Sequence, residues 1–233
     1  MNQEETINVE NNHDLNKFYR DAISYWSNIP PTVDGMLAGF AHISDVDIKG
    51  SGQFLETLFK EKNPPGHERA LDCGAGIGRI TKHLLLKHFN TVDLVEQNKT
   101  FLDESPTYIG DSEKIGSFFN VGLQDFKPSK NYDVIWCQWV LVHLTDDDLI
   151  KFFKICKTSL NSNGVIVVKE NLSSSVDGDM DEVDSSVTRP QKQLKKLFEK
   201  AGLVCFRETI QKNFPEGLYL VKMFALRPSK KQK

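Results

Sequence analysis

Residues 69–79 read R-A-L-D-C-G-A-G-I-G-R, an apolar run leading straight into three alternating glycines, Gly74, Gly76 and Gly78. A strand, a glycine turn and then a helical pattern make the first half of a βαβ unit. Glycines at that turn let the backbone approach a ligand where a Cβ would collide. Working outward, further strands are predicted at 91–96, 117–122, 132–139 and 164–170, with helices near 78–89, 98–105 and 145–160. Such alternation closes as a parallel sheet covered on both faces. After a helix at 190–201, L-V-C-F-R-E-T-I (203–210) and L-Y-L-V-K-M-F-A-L (218–226) read as a closing antiparallel pair, giving seven strands in all.

Upstream of this unit, Leu15, Phe18, Tyr19, Ala22, Ile23 and Trp26 recur at helical spacing, with Asn12 or Asp14 as candidate N-cap. Pro30 and Pro31 stop that helix, and a second is predicted over Gln53–Lys62. The expected organisation is a disordered start (1–12), a helical extension acting as a lid (13–62), one main domain (63–228) and a frayed basic tail (229–233). Apolar residues make up 39% of the 233 positions, enough for a substantial core, and a net charge of -3 argues for neither nucleic-acid nor membrane attraction. Cys73, Cys137, Cys156 and Cys205 form no C-x-x-C pair and read as reduced thiols, and the histidines lack metal-ligand spacing, so no metal is expected. The start carries no basic-then-apolar leader; a soluble, cytoplasmic protein with a nuclear fraction is the expectation.

The glycine loop departs from a dinucleotide fingerprint, because Arg79 stands where the third glycine belongs. Asp72 adds a carboxylate that would repel a pyrophosphate and welcome a sulfonium. Glu96, ending the second strand, is placed to accept from two ribose hydroxyls. These features favour S-adenosylmethionine over a nicotinamide dinucleotide. At the same sheet edge, Leu123 and Gln124 could flank adenine, Arg79 could pair with the methionine carboxylate, and Gln138 could touch the same amino-acid portion.

The stretch V-D-G-D-M-D-E-V-D-S-S (176–186) holds Asp177, Asp179, Asp181, Glu182 and Asp184 with no basic residue. It is either a solvated loop or a receptor for cations. His143 has the basicity of a general base but could equally be structural. Trp139 could be a core aromatic or a flat apolar wall of a binding site, and Asn171 a strand terminator or a side-chain hydrogen-bond donor.

W-S-N-I-P-P-T-V-D-G-M-L-A-G-F, L-D-C-G-A-G-I-G-R-I, G-L-Q-D-F, V-I-W-C-Q-W-V-L-V-H-L and D-E-V-D-S-S-V-T-R together resemble the protein α-N-terminal methyltransferases, from about Phe18 to Arg227. The resemblance implies a class I S-adenosylmethionine-dependent fold, Rossmann-like, with an N-terminal helical extension. It further implies methylation, from mono- to tri-, of the α-amine of proteins beginning Xaa-Pro-Lys, with S-adenosylhomocysteine as product and ribosomal or chromatin-associated proteins among the targets. By the same resemblance His143 and Asp184 share deprotonation, Asn171 holds the first carbonyl, and Asp181 and Ser186 lie on the lysine side. Trp139, Leu37, Ile43 and Tyr219 line the peptide groove, and Trp26 closes over the cofactor. Glu96 replaces a common aspartate, and Phe40 lacks the usual tyrosine hydroxyl. The other readings are a small-molecule amine methyltransferase and a silent methyltransferase-like partner.

The chemistry suits an α-amine. Only the neutral amine attacks, and with a reference pKa of about 7.7–8.0 roughly a tenth is neutral at pH 7; a lysine near ~10.4 is neutral less than once in a thousand.

Overall fold

The glycine turn of residues 74–78 sits at the centre of the topology. The computed structural model describes residues 17–229; the expected disordered start, the candidate caps Asn12 and Asp14, and all of the basic tail but Ser229 lie outside them. Seven strands form one sheet: β1 (Arg69–Cys73), β2 (Thr91–Val95), β3 (Ile115–Phe119), β4 (Tyr132–Gln138), β5 (Leu160–Leu172), β8 (Leu203–Ile210) and β9 (Leu220–Pro228). Their order is β3-β2-β1-β4-β5-β9-β8, with the first five parallel and β9 antiparallel to both β5 and β8. Strand order reverses between β1 and β4, the crevice where open α/β sheets bind ligands.

Both faces of the sheet are apolar, so β4 is buried throughout and its residues alternate between two cores. Ile135 and Cys137 meet α6 (Asp146–Thr158) and α7 (Gln191–Lys200) through Phe152, Phe153, Leu197 and Phe198. Val134 and Trp136 face α3 (Ser44–Phe59), the helical segment α4 (79–88, π-helical over Thr81–Leu85) and α5 (Lys99–Ile109). Cys73, Cys137 and Cys156 are buried thiols, and Cys205 is partly exposed.

Several elements differ from expectation; β5 opens four residues before the predicted 164 and α5 runs four past the predicted 105. α3 starts nine residues before the predicted Gln53, because K-G-S-G reads as a breaker; Asp45 and Asp47 in its first turn favour the helix N-terminus. Gly50 makes room there for the Gln211 side chain, whose amide oxygen would lie 2.3 Å from a Cβ. β3 begins at Ile115, not 117, because Gly116 leaves room for the Asp93 carboxylate. The acidic stretch folds into a hairpin, β6 (Asp179–Asp181) on β7 (Ser186–Thr188), with Ser185 left-handed in the turn at φ 55°.

The remaining helices, α1 (17–27) and α2 (Val33–Met36), cross the carboxyl edge of the sheet. α1 is pinned at one end by Tyr19, whose hydroxyl donates to Asp148 at 2.6 Å, and at the other by Asn98, whose amide donates to the Trp26 carbonyl at 2.8 Å. Among the described residues no helix is long and apolar enough to cross a membrane.

Candidate active site

A cleft open to solvent lies over the carboxyl ends of β1, β2 and β4. All eight residues expected to hold the cofactor line it: Trp26, Gly74, Gly76, Arg79, Glu96, Leu123, Gln124 and Gln138. Gly74 (φ 68°) and Gly76 (φ 56°) are left-handed, and a Cβ on either would strike Val140 or Met36 within 2.6 Å. Glu96 is buried; its two oxygens accept from the Gly76 and Asn98 amides at 2.9 and 2.8 Å, and burial raises its pKa. Each oxygen keeps a second lone pair for a hydroxyl donor. The wall is therefore glycine backbone, an acceptor carboxylate, an arginine and apolar side chains, a set that fits the nucleoside and amino acid of S-adenosylmethionine.

Asp72 does not face the cleft. It is buried, accepts from the Thr81 amide (3.0 Å) and hydroxyl (2.6 Å), and burial pushes its pKa up to about 6. Its work is to tie the start of α4 to β1, and the expected attraction for a sulfonium is corrected accordingly. Arg79 and Gln138 are also engaged from behind: Arg79 Nη2 pairs with Asp47 at 2.8 Å, and Gln138 Nε2 donates to both Asp47 oxygens at 2.9 Å.

His143 and Trp139 line the same cleft, on the turn that follows β4. Trp139 is left-handed (φ 52°), a conformation that costs about 1–3 kcal/mol for so bulky a residue. Glu170 offsets this by accepting from the next two amides, Val140 at 3.0 Å and Leu141 at 2.8 Å, through one buried oxygen. Two cations approach the indole, Arg79 at 5.8 Å and Lys169 at 5.9 Å from its ring centre.

The imidazole of His143 is held on both nitrogens. Trp26 Nε1 donates to its Nε2 at 3.0 Å, and its Nδ1 lies 3.3 Å from the Ser185 carbonyl, which assigns the proton to Nδ1. Burial lowers the His143 pKa, and the Asp184 carboxylate and the Ser185 carbonyl act in the opposite sense. Arg189 staples the hairpin to the same turn, donating to the Leu141 and Leu144 carbonyls at 3.2 and 2.5 Å and pairing with Asp146 at 2.7 Å.

On the hairpin, Asp181 and Ser186 are register partners, so they share a face; Asp181 is exposed and Ser186 buried. Asp184 is half-buried, and its Oδ1 has no hydrogen-bond partner among the described residues; Trp139 Nε1 is equally orphaned. Two buried polar atoms of opposite polarity, unpaired beside a cleft, are what a substrate with an ammonium and a carbonyl would satisfy. Asn171 is half-buried next to the last residue of β5, Leu37 and Ile43 are buried within the extension, and half-exposed Tyr219 lies near Asp179 of the hairpin. These four do not line the cofactor cleft.

Sequence reasoning missed Asp47, Lys169, Glu170 and Arg189. The signal was present in K-E-N (169–171), two charges ending an all-apolar strand, since charges in a buried strand must be paired.

Residues 14–227 match the family described as AdoMet dependent proline di-methyltransferase. The N-terminal Xaa-Pro-Lys N-methyltransferase 1 of Danio rerio is 50% identical over 218 residues, spanning 92% of this chain and 97% of that one. The Homo sapiens protein of the same name is 48% identical over 218 residues with the same coverage. A solved S-adenosylmethionine-dependent methyltransferase of Leishmania major superposes with a TM-score of 0.85 at 41% identity, covering 90% of this chain and 83% of that one.

Proposed function

The chain belongs to the AdoMet-dependent proline di-methyltransferase family, and from that premise we propose how its residues divide the work of methylating a protein's first nitrogen. It is an S-adenosylmethionine-dependent enzyme acting on the α-amine of proteins that begin Xaa-Pro-Lys. Bound in the cleft, S-adenosylmethionine supplies an electrophilic methyl on a sulfonium and leaves as S-adenosylhomocysteine. Glu96 holds the ribose hydroxyls, Leu123 and Gln124 the adenine, and Arg79 and Gln138 the amino-acid end.

Asp184 receives the substrate ammonium on its unpartnered oxygen, and Trp139 presents its ring to the second-position proline, which brings no N–H to satisfy. Asp181 and Ser186 take the third-position lysine, and Asn171 the first carbonyl, with Leu37, Ile43 and Tyr219 bounding the groove. His143, neutral at pH 7 because burial lowers its pKa, accepts the proton at Nε2 once the amine displaces the Trp26 N–H. Displacement then follows from positioning.

The single observation carrying this reading is the buried, unpaired Asp184 carboxylate oxygen next to a neutral histidine on the cleft wall. Mass spectrometry of an S-P-K peptide and its N-acetylated twin tests it: methyl groups, up to three, are expected on the first and none on the second. Asp184→Asn should remove peptide methylation while leaving cofactor affinity within a few-fold. Simultaneous loss of both would show that the residue is structural. Ribosomal and chromatin-associated proteins, in cytoplasm and nucleus, are the proposed targets; N-terminal proteomics of cells lacking the gene would reveal them.

A further inference from the structure

Asp47 is wholly buried in the first turn of α3, outside the sheet, yet it gathers donors from three other elements. One oxygen meets the Nζ of Lys169 from β5, the other takes Arg79 Nη2 at 2.8 Å, and Gln138 Nε2 from β4 bridges both. Lys169, itself fully buried, is completed by the Asp47 carbonyl (3.2 Å), Ser51 Oγ (2.9 Å) and Gln211 Oε1 (2.7 Å). Gln138 Oε1 accepts from Trp136 at 3.0 Å, which fixes its amide orientation. Arg79 and Gln138 face the cleft; Asp47 and Lys169 stand behind them.

The charge count is uneven. Two cations, Arg79 and Lys169, share one carboxylate, and Asp72, whose charge Arg79 also feels, is bound to Thr81. Burial lowers the Lys169 pKa to about 8 despite Asp47, as expected of a cluster short of one negative charge. An unbalanced buried charge is costly until a ligand of opposite sign arrives.

We propose that Asp47 is a positioning residue for the cofactor's amino-acid end: it aims Arg79 and Gln138 into the cleft and leaves one buried positive charge for the ligand's carboxylate to neutralise. This rests on the cofactor reading above. It also assigns the N-terminal extension a part in building the cofactor site as well as covering it.

Calorimetric titration with two ligands tests the idea. S-adenosylhomocysteine carries the amino acid; 5′-methylthioadenosine keeps the adenosine and thioether without it. In Asp47→Asn, affinity for the first should fall about tenfold or more, the worth of one charge-assisted hydrogen bond, while affinity for the second holds within about twofold. The double variant Asp47→Asn, Lys169→Met removes both members of one pair, leaves one cation instead of two without its carboxylate, and should show the same selective loss because Arg79 has still lost its anionic partner. An unchanged ratio of the two affinities in either variant, or equal weakening of both ligands, overturns the proposal. Wild-type protein binding neither ligand would instead overturn the cofactor reading.

Discussion

Replacing Trp26 by phenylalanine removes one hydrogen and leaves nearly everything else in place. The ring stays to meet Phe101 and His143 edge-on, at 6.3 and 5.8 Å in the wild type. The N–H that donates to His143 Nε2 at 3.0 Å is lost. That donor stabilises only the neutral imidazole, because a protonated Nε2 would confront it hydrogen to hydrogen. A net hydrogen bond is worth about 0.5–1.5 kcal/mol, and one pKa unit is about 1.4 kcal/mol. The His143 pKa in Trp26→Phe should therefore rise by about half to one unit. Burial, which lowers it, is unchanged, so the shift runs upward, back toward the ordinary imidazole value. The imidazole Cε1 proton resonance followed against pH measures this directly. The acidic limb of peptide kcat/KM at saturating cofactor should move the same way, with the substrate's own titration common to both proteins. A midpoint that stays put, or moves down, would refute the tautomer and the role assigned to the indole.

Glu170 offers a stability test. Burial raises its pKa from 4.5 to about 7, so the folded state holds this proton more tightly than the unfolded chain. Its contribution is fully favourable below about pH 4.5 and is lost as pH rises through about 7, by at most about 3 kcal/mol. Glu170→Gln should abolish that loss, so urea unfolding at pH 5 and pH 8 should show the variant gaining on wild type at the higher pH; parallel changes would contradict the burial of the charge. Asp72 titrates in the same window but is common to both proteins, and so cancels. Asp181→Asn, on an exposed hairpin position, should raise the peptide KM a few-fold with kcat unchanged. The difference should shrink in 1 M salt; a salt-independent effect would point to misfolding of the hairpin.

The sheet was legible in the chain because its signal is local: apolar runs, glycine punctuation and helical spacing each act within about ten residues. The expected cofactor residues other than Trp26 came from that same local logic, since ligands gather at strand ends whose order the alternation implies; Trp26 came from the family resemblance. What stayed hidden was non-local pairing. Asp47 and Lys169 are 122 positions apart, and neither charge has a reason to be buried until α3 is laid on the sheet. Asp72 misled for a related reason: its distance in sequence from the glycines suggested a ligand contact, but the turn of α4 brought Thr81 to it first. The acidic run read as a loop, solvated or cation-receiving, because composition alone cannot reveal a three-residue strand pairing.

The depressed basicity of His143 also bears on which nitrogen is chosen. With a pKa below 6.5, it takes a proton from an α-ammonium near ~8 at modest cost and from a lysine near ~10.4 at far greater cost. The difference of about 2.4 units is about 3 kcal/mol, or a few hundredfold in rate, before any geometry is considered. Selection at the reacting nitrogen thus follows from the acidity of the two ammonium groups as well as from the groove, and a lysine side chain that strayed into the site would still react slowly. A peptide whose α-amine is blocked makes this measurable. At pH 7 its lysine should acquire methyl at less than about a hundredth of the rate seen at a free α-amine, rising about tenfold per pH unit. Comparable rates on the two nitrogens at pH 7 would mean that proton removal by a weak base is not what limits the choice.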